Sequence, residues 1–279
     1  MSKKGSVFGR FFMALVFIFL YAPIAVLIVF SFNSIKSRTV WGGFSFQWYV
    51  ELFQDSLIMN SLYTTLAVSV LSALIATVVG TITAIGLSQM KKRWRSPLLA
   101  INNIPVMNAD IVTGVSLCLM FVAAGQALKS IGINFTLGFG TLLIAHITFN
   151  IPYVILSVMP KIQQMDKNLV DAALDLGCSW FQAFWKVMLP ELRPGIVNGM
   201  IIAFTMSIDD FMISYFTSGE GVQTLSMTIY SMARKRITPS INALSTILFV
   251  SVLVLLIIVN VREFRQEERL KKQAKLAKK

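Results

Sequence analysis

Apolar residues run along this chain in long blocks separated by short polar segments. The blocks cover about 11–32, 62–87, 98–124, 137–158, 195–216 and 243–261. Each reaches or approaches the roughly 20 residues that an α-helix needs to cross a hydrocarbon core. Helix is the expected form, because a segment in lipid must satisfy its own backbone polar groups. The pattern predicts an all-α polytopic membrane protein with six transmembrane helices. Residues 1–10 form the N-terminus, 11–261 the six-span domain and 262–279 a basic tail. The first block is too long for a signal-peptide core and lacks a small-residue cleavage site, so it reads as a retained span. Asn102, Asn103, Pro105 and Asn108 interrupt the third block early, and Pro152 lies inside the fourth.

The main polar interruption is 166–190. Asp166 is placed to cap a short helix, and Gly177 to end it in the left-handed conformation. Ser179 and Gln182 have capping-box spacing, and Pro190 is expected to stop the second helix. Both helices are amphipathic and too short to span. Shape alone fits an ordinary connecting loop as well as a docking knob, whose small Ala172 and Ala173 would let a partner's groove come close to the backbone.

Composition agrees with the pattern. The chain is 56% hydrophobic and 14% charged, with a mean hydropathy of +0.71, where a soluble domain carries roughly a quarter charged residues. The net charge of +12 is therefore read by location, and not as a nucleic-acid footprint. Nineteen of the 25 Lys and Arg lie on the side of the termini, against six on the other. The positive-inside rule then puts both termini, and the 166–190 knob, in the cytoplasm. Arg234-Lys235-Arg236, assigned outside, is the exception. Cys118 and Cys178 fall in different environments, so neither a disulfide nor a metal site is expected. No phosphate-binding loop and no zinc-hydrolase or serine-hydrolase motif is present, so any ATP-driven function needs a separate ATPase chain.

Three of the 13 acidic residues are embedded in apolar blocks: Asp110, Asp209 and Asp210. A carboxylate at the centre of an isolated span costs roughly 2.5–3.5 kcal/mol on insertion scales. Each either pairs with a neighbouring helix, takes up a proton, or lines a path for a cation. No Lys or Arg lies between 195 and 216, which favours the last. In a continuous helix Ser207 and Asp210 share a face while Asp209 points about 100° away. Trp48 and Tyr49, before the second span, read on physics alone as interfacial belt residues. His146, the only histidine, reads as a packing residue.

The knob carries a further pattern. Asp171-Ala172-Ala173, Gly177, Val187 and Leu189-Pro190 resemble the cytoplasmic signature of permease subunits of bacterial binding-protein-dependent ABC importers. That signature reads Glu-Ala-Ala, three residues, Gly, nine residues, Ile, one residue, Leu-Pro. Asp171 and Val187 depart from it conservatively. Within the family the chain is similar over nearly its whole length to the spermidine/putrescine permeases of the C type. Ser31-Phe-Asn33-Ser, Trp48-Tyr49, Asp110-Ile-Val, His146-Ile-Thr-Phe, Ser207-Ile-Asp209-Asp210 and Pro239-Ser-Ile-Asn242-Ala carry this likeness.

The resemblance implies a type I ABC importer permease in the bacterial cytoplasmic membrane. Asp171, Ala172, Ala173, Gly177, Leu189 and Pro190 would couple it to its motor. Trp48, Asp110, Ser207, Asp209 and Asp210 would line the substrate path. It also implies a sister B-type permease subunit, two copies of an ATPase subunit that bind ATP and Mg, and an extracellular or periplasmic polyamine-binding protein. This chain itself would hold no cofactor. Three alternatives remain at this stage. One is an ABC permease for another organic cation or small solute. Another is an intramembrane aspartyl hydrolase, which would need Asp110 as its second acid and leaves the knob unexplained. The third, a secondary transporter, is disfavoured by the lack of visible repeat symmetry.

Overall fold

The computed structural model describes residues 7–37, 40–166, 168–235, 240–254, 257 and 261. The expectations for the basic tail, for Arg236 and for most of 255–261 lie outside the described residues. Five helices are long and apolar enough to cross a membrane: Gly9–Phe30, Ser56–Gln89, Asp110–Lys129, Phe139–Gln164 and Trp180–Asp209. A sixth apolar helix, Ser240–Val254, is shorter over its described residues. No β-strand longer than an isolated bridge occurs among the described residues.

Contacts divide the chain into two compact units, Met1–Met59 with Ile229–Lys279, and Asn60–Thr228. The first holds α1 (Val7–Phe30) and α2 (Gln47–Gln54). A hydrogen-bonded loop joins them. Asn33, fully buried, donates from its side chain to the carbonyls of Ser37 and Val40 at 3.2 and 2.8 Å, and accepts from Gly42 N–H at 2.8 Å. Phe32, Phe44, Phe46 and Tyr49 stack around it. The Asn33 side chain thus satisfies three of the loop's backbone groups.

The second unit contains most of α3 (Ser56–Gln89), then α4 (Lys92–Met107), α5 (Asp110–Lys129), α6 (Phe139–Gln164) and α7 (Asn168–Asp175). After these come α8 (Trp180–Ala183), a π turn (Phe184–Met188), α9 (Leu189–Asp209), α10 (Met212–Thr217) and the start of α11 (Leu225–Lys235). Its core joins α3, α6 and α9 through Ala73, Ala76, Ala84, Val154, Val158 and Ala203. Small residues set the spacing. A Cβ on Gly199 would lie 3.2 Å from Ser157 Cβ and Val154 Cα, and one on Gly80 would lie 2.8 Å from Val154. Close backbone approach of this kind is how helices pack where lipid removes the hydrophobic drive between them.

Three expectations need correction here. Pro190 does not stop the knob's second helix: Trp180–Asp209 is one helix of 30 residues. The π turn, in which Leu189 N–H reaches Phe184 O, widens the backbone ahead of Pro190. Pro190 then falls in the first turn of α9, where a missing N–H is tolerated. The expected third span is two helices, α4 and α5, and the expected fifth is also two, α9 and α10. Apolar content runs through both joints, so hydropathy alone does not reveal them.

Candidate functional site

The two joints are breaks with local causes. Asn108 and Ala109 are extended, with ψ of 156° and 134°, and α5 begins at Asp110. At the other joint Asp210 is extended, with ψ of 128°. Its carboxylate accepts the N–H of Ile213 at 3.2 Å and of Ser214 at 2.7 Å. Asn and Asp compete with helix in this way, by offering the backbone a nearer partner. The breaks lie close together. Gly114 of α5 packs against α10, where an added Cβ would lie 3.1 Å from Met212 O and from the Phe216 ring. Asp110 is four residues before Gly114, about 6 Å along the helix.

The three embedded aspartates divide by helix polarity. Asp110 stands at the first residue of α5 and Asp210 caps α10, and a carboxylate is favoured at both helix N-termini. Asp209 is the last residue of α9, where the helix already carries partial negative charge. It is exposed in this chain, as is Asp110. Its carboxylate makes no hydrogen bond or ion pair among the described residues. Nothing intrinsic to the fold favours an acid there, and a cation would relieve it.

Asp210, by contrast, is buried, with 5% of its side chain exposed, 3.5 Å from Nε2 of His146. His146, 1% exposed, is the hub of a polar chain across four helices. Its Nδ1 meets Ser207 Oγ at 2.7 Å and its Nε2 meets Ser214 Oγ at 3.1 Å. Ser207 Oγ lies 3.2 Å from Ser72 Oγ on α3, which accepts from Asn150 Nδ2 at 3.2 Å. Most other hydroxyls in the spans return to a carbonyl of their own helix, as Thr77, Thr148 and Thr205 do. Ser207 and Asp210 therefore do not share a helix face, since α9 ends at Asp209. They converge on opposite nitrogens of one imidazole.

Sequence reading placed Ser207 and Asp210 near each other but left His146 as packing, and did not single out Ser72 or Asn150. A usable signal was present. His146 and Asn150 stand four apart on α6, and Ser69 and Ser72 three apart on α3, so each pair marks a polar stripe on an otherwise apolar helix.

Trp48 belongs to the first unit. It is 2% exposed, its indole N–H donates to Asn33 O, and Lys36 Nζ sits over the ring at 5.6 Å.

The knob follows its expected design up to Pro190. Asp166 accepts Asn168 N–H at 3.0 Å, and Gly177, two residues past the end of α7, has φ of +85°. Cys178 N–H returns to Ala173 O at 3.0 Å, the long bond of a left-handed helix cap. The Ser179–Gln182 box closes in both directions, at 3.0 and 3.3 Å. Ala173 is buried, and Asp171, Ala172 and Gly177 are exposed. At the tip Leu176 is 86% exposed, with Trp180 and Phe181 also open. Because the helix from Trp180 runs unbroken to Asp209, knob and break are two ends of one rod roughly 45 Å long at the α-helical rise.

An all-α membrane domain with broken helices at embedded acids and a capped polar knob is the architecture of a transporter subunit. The chain matches, over residues 76–272, the family described as binding-protein-dependent transport system inner membrane component, and it belongs to that family. It is 37% identical over 233 residues to the putrescine transport system permease protein PotI of Escherichia coli K12, covering 83% of this chain and 82% of that protein. It is 35% identical to the spermidine/putrescine transport system permease protein PotC of Haemophilus influenzae, covering 88% and 93%. Among solved structures, a bacterial ABC transporter involved in import of the acidic polysaccharide alginate superimposes with a TM-score of 0.71 at 18% identity, covering 93% of this chain and 95% of that one. That likeness shows the fold, a type I ABC importer permease. The chain is thus a multi-pass permease subunit, and ATP hydrolysis belongs to a partner chain.

Proposed function

We propose that this subunit forms half of the path of an ATP-driven polyamine importer, with Asp209 and Asp110 as its cation-facing groups. The observation that carries the reading is Asp209: exposed, unpartnered among the described residues, and at a helix C-terminus. A protonated di- or triamine supplies the charge this position lacks. Close relatives named for putrescine and spermidine support the same substrate class. Asp210 and Ser207 hold the break in shape beside the path. Trp48 acts by holding the loop before α2 rather than by offering its ring face.

The exposed apolar tip at Leu176, Trp180 and Phe181 suits a partner groove, and the signature residues Asp171 to Gly177 lie beside it. The partner there is one of two ATPase copies, which bind ATP and Mg. A sister B-type permease completes the path, and a periplasmic polyamine-binding protein delivers to it. Both termini and the knob face the cytoplasm in this reading, on the charge count given above. Uptake of labelled putrescine or spermidine by the assembled transporter carrying Asp209→Asn tests it. Uptake should fall at least about tenfold, as loss of one charge-assisted contact with the substrate implies, with the complex still assembled. Undiminished uptake would remove Asp209 from the path.

A further inference from the structure

We propose that His146 is the pivot of the rod that joins knob to break. It is a positioning residue that ties the end of α9 to the start of α10 and to α6, so that displacement of the knob turns Asp209 instead of unwinding the joint. The inference deepens the reading of Asp209 given above and rests on it.

Four observations carry it. First, the helix is continuous from Trp180 to Asp209, so displacement of the knob is carried along one element to the break. Second, the rod's middle packs closely on α6 through small residues. An added Cβ on Gly195 or Gly199 would lie 2.8–3.2 Å from Lys161, Ser157 and Val154, and among the described residues no side-chain hydrogen bond ties α9 to α6 along this stretch. Third, the rod's far end is tied. Ser207, two residues before the end of α9, bonds to His146 Nδ1 at 2.7 Å, while Ser214 in α10 bonds to Nε2 at 3.1 Å. One rigid imidazole thus spans the break from both sides and is itself anchored on α6. Fourth, the link continues through Ser72 to Asn150, so the pivot is seated on α3 as well as α6. In an apolar interior such bonds are directional, and the apolar contacts around them are not.

The geometry separates clamp from fold. Asp210 can still accept its two backbone N–H bonds without His146, but with nothing to hold the carboxylate in place those bonds open more often. A serine hydroxyl that loses an imidazole can turn to a carbonyl of its own helix. Leucine at 146 therefore leaves a helical, apolar and insertable chain whose break has lost its lateral tie. Glutamine keeps one donor and one acceptor at the end of a side chain of similar reach, and should restore part of the link.

The test uses the whole transporter reconstituted in lipid, with His146→Leu and His146→Gln compared with the parent. Three quantities are read: hydrogen exchange of the 211–215 amides, ATP hydrolysis, and polyamine taken up per ATP hydrolysed. In His146→Leu the Ile213 and Ser214 amides should exchange about tenfold faster, the scale of losing one hydrogen bond beside a charge. Hydrolysis should continue while uptake per ATP falls about tenfold, and His146→Gln should recover part of both. Unchanged exchange in His146→Leu overturns the clamp whatever uptake does. Faster exchange with parental uptake per ATP overturns the pivot. A parallel loss of uptake and hydrolysis that glutamine does not repair shows a merely structural histidine and also overturns it. If Asp209→Asn transports normally the path reading fails, yet the exchange result still decides the clamp by itself.

Discussion

The knob and the break sit at the two ends of one helix and are built by opposite rules. Every bond that shapes the knob's caps joins residues at most five apart: Asp166 to Asn168, Ala173 to Cys178, Ser179 to Gln182. The bonds that brace the break across helices span 61, 68, 78 and 135 residues. The knob is thus a self-contained module that presents apolar side chains outward. The break is started by a local cap but braced only when four helices have assembled, and it turns polar side chains inward. A module with local bonds can be gripped by another protein without losing its shape. A joint with distant bonds reports any change in how its helices lie. That pairing suits a device that receives force at one end and changes a site at the other.

The harshest way to separate the two ends is to damage the knob's tip alone. Gly177→Arg places a bulky charge where φ is +85°, a conformation that costs a non-glycine residue about 1–2 kcal/mol. Leu176→Glu puts a charge on the most open apolar side chain of the tip. Both variants should insert normally, since the break lies elsewhere and its bonds are untouched. Both should lose co-purification with the ATPase subunits and essentially all uptake. Retained co-purification in both would show that the knob is not the coupling surface.

This contrast also explains what could be read from the chain beforehand. Asp166, Gly177 and the Ser179–Gln182 box were legible because caps are local chemistry, set within a few residues. Pro190 misled for a related reason. Proline ends a helix unless the turn before it widens, and the π turn at 184–188 that does so has no sequence signature. The break was half legible. Asp209 and Asp210 stood out as acids in an apolar run, but their different fates depend on where α9 ends, one residue's difference in position. For His146 the stripe it shares with Asn150 marks a polar face, but not its partners, which arrive from α9 and α10, 61 and 68 residues away.

The two adjacent aspartates give the next test, on a smaller scale. Asp210→Ala removes a carboxylate that accepts two backbone N–H groups beside a buried imidazole. The loss should be about 1–3 kcal/mol of stability, seen as a lower thermal midpoint of the purified complex, together with reduced uptake. Asp209→Ala should leave that midpoint unchanged or slightly raised, because it relieves a negative charge at a helix C-terminus, worth about 0.3–1 kcal/mol. Equal destabilisation by the two would show that helix polarity does not divide their roles.

The smallest expected effect concerns Trp48, and it asks whether the first unit's loop follows the knob's rule or the break's. Its indole donates to Asn33 O, 15 residues away, and Asn33 in turn holds Ser37, Val40 and Gly42. Like the knob, the loop is built from bonds of short sequence separation. Trp48→Phe keeps an aromatic ring in the buried slot and removes one hydrogen bond, so it should cost about 1 kcal/mol and lower uptake only a few-fold. Trp48→Ala empties the slot beneath Lys36 and should cost about 3–5 kcal/mol, with a larger fall in uptake that follows the fraction of folded complex. A ring that met substrate directly would give a different order. Phenylalanine presents a weaker face to an ammonium group than tryptophan does, so uptake would fall further than stability does in Trp48→Phe. The ratio of the two losses in that variant decides whether the indole supports the path or belongs to it, and the buried, hydrogen-bonded ring argues for support.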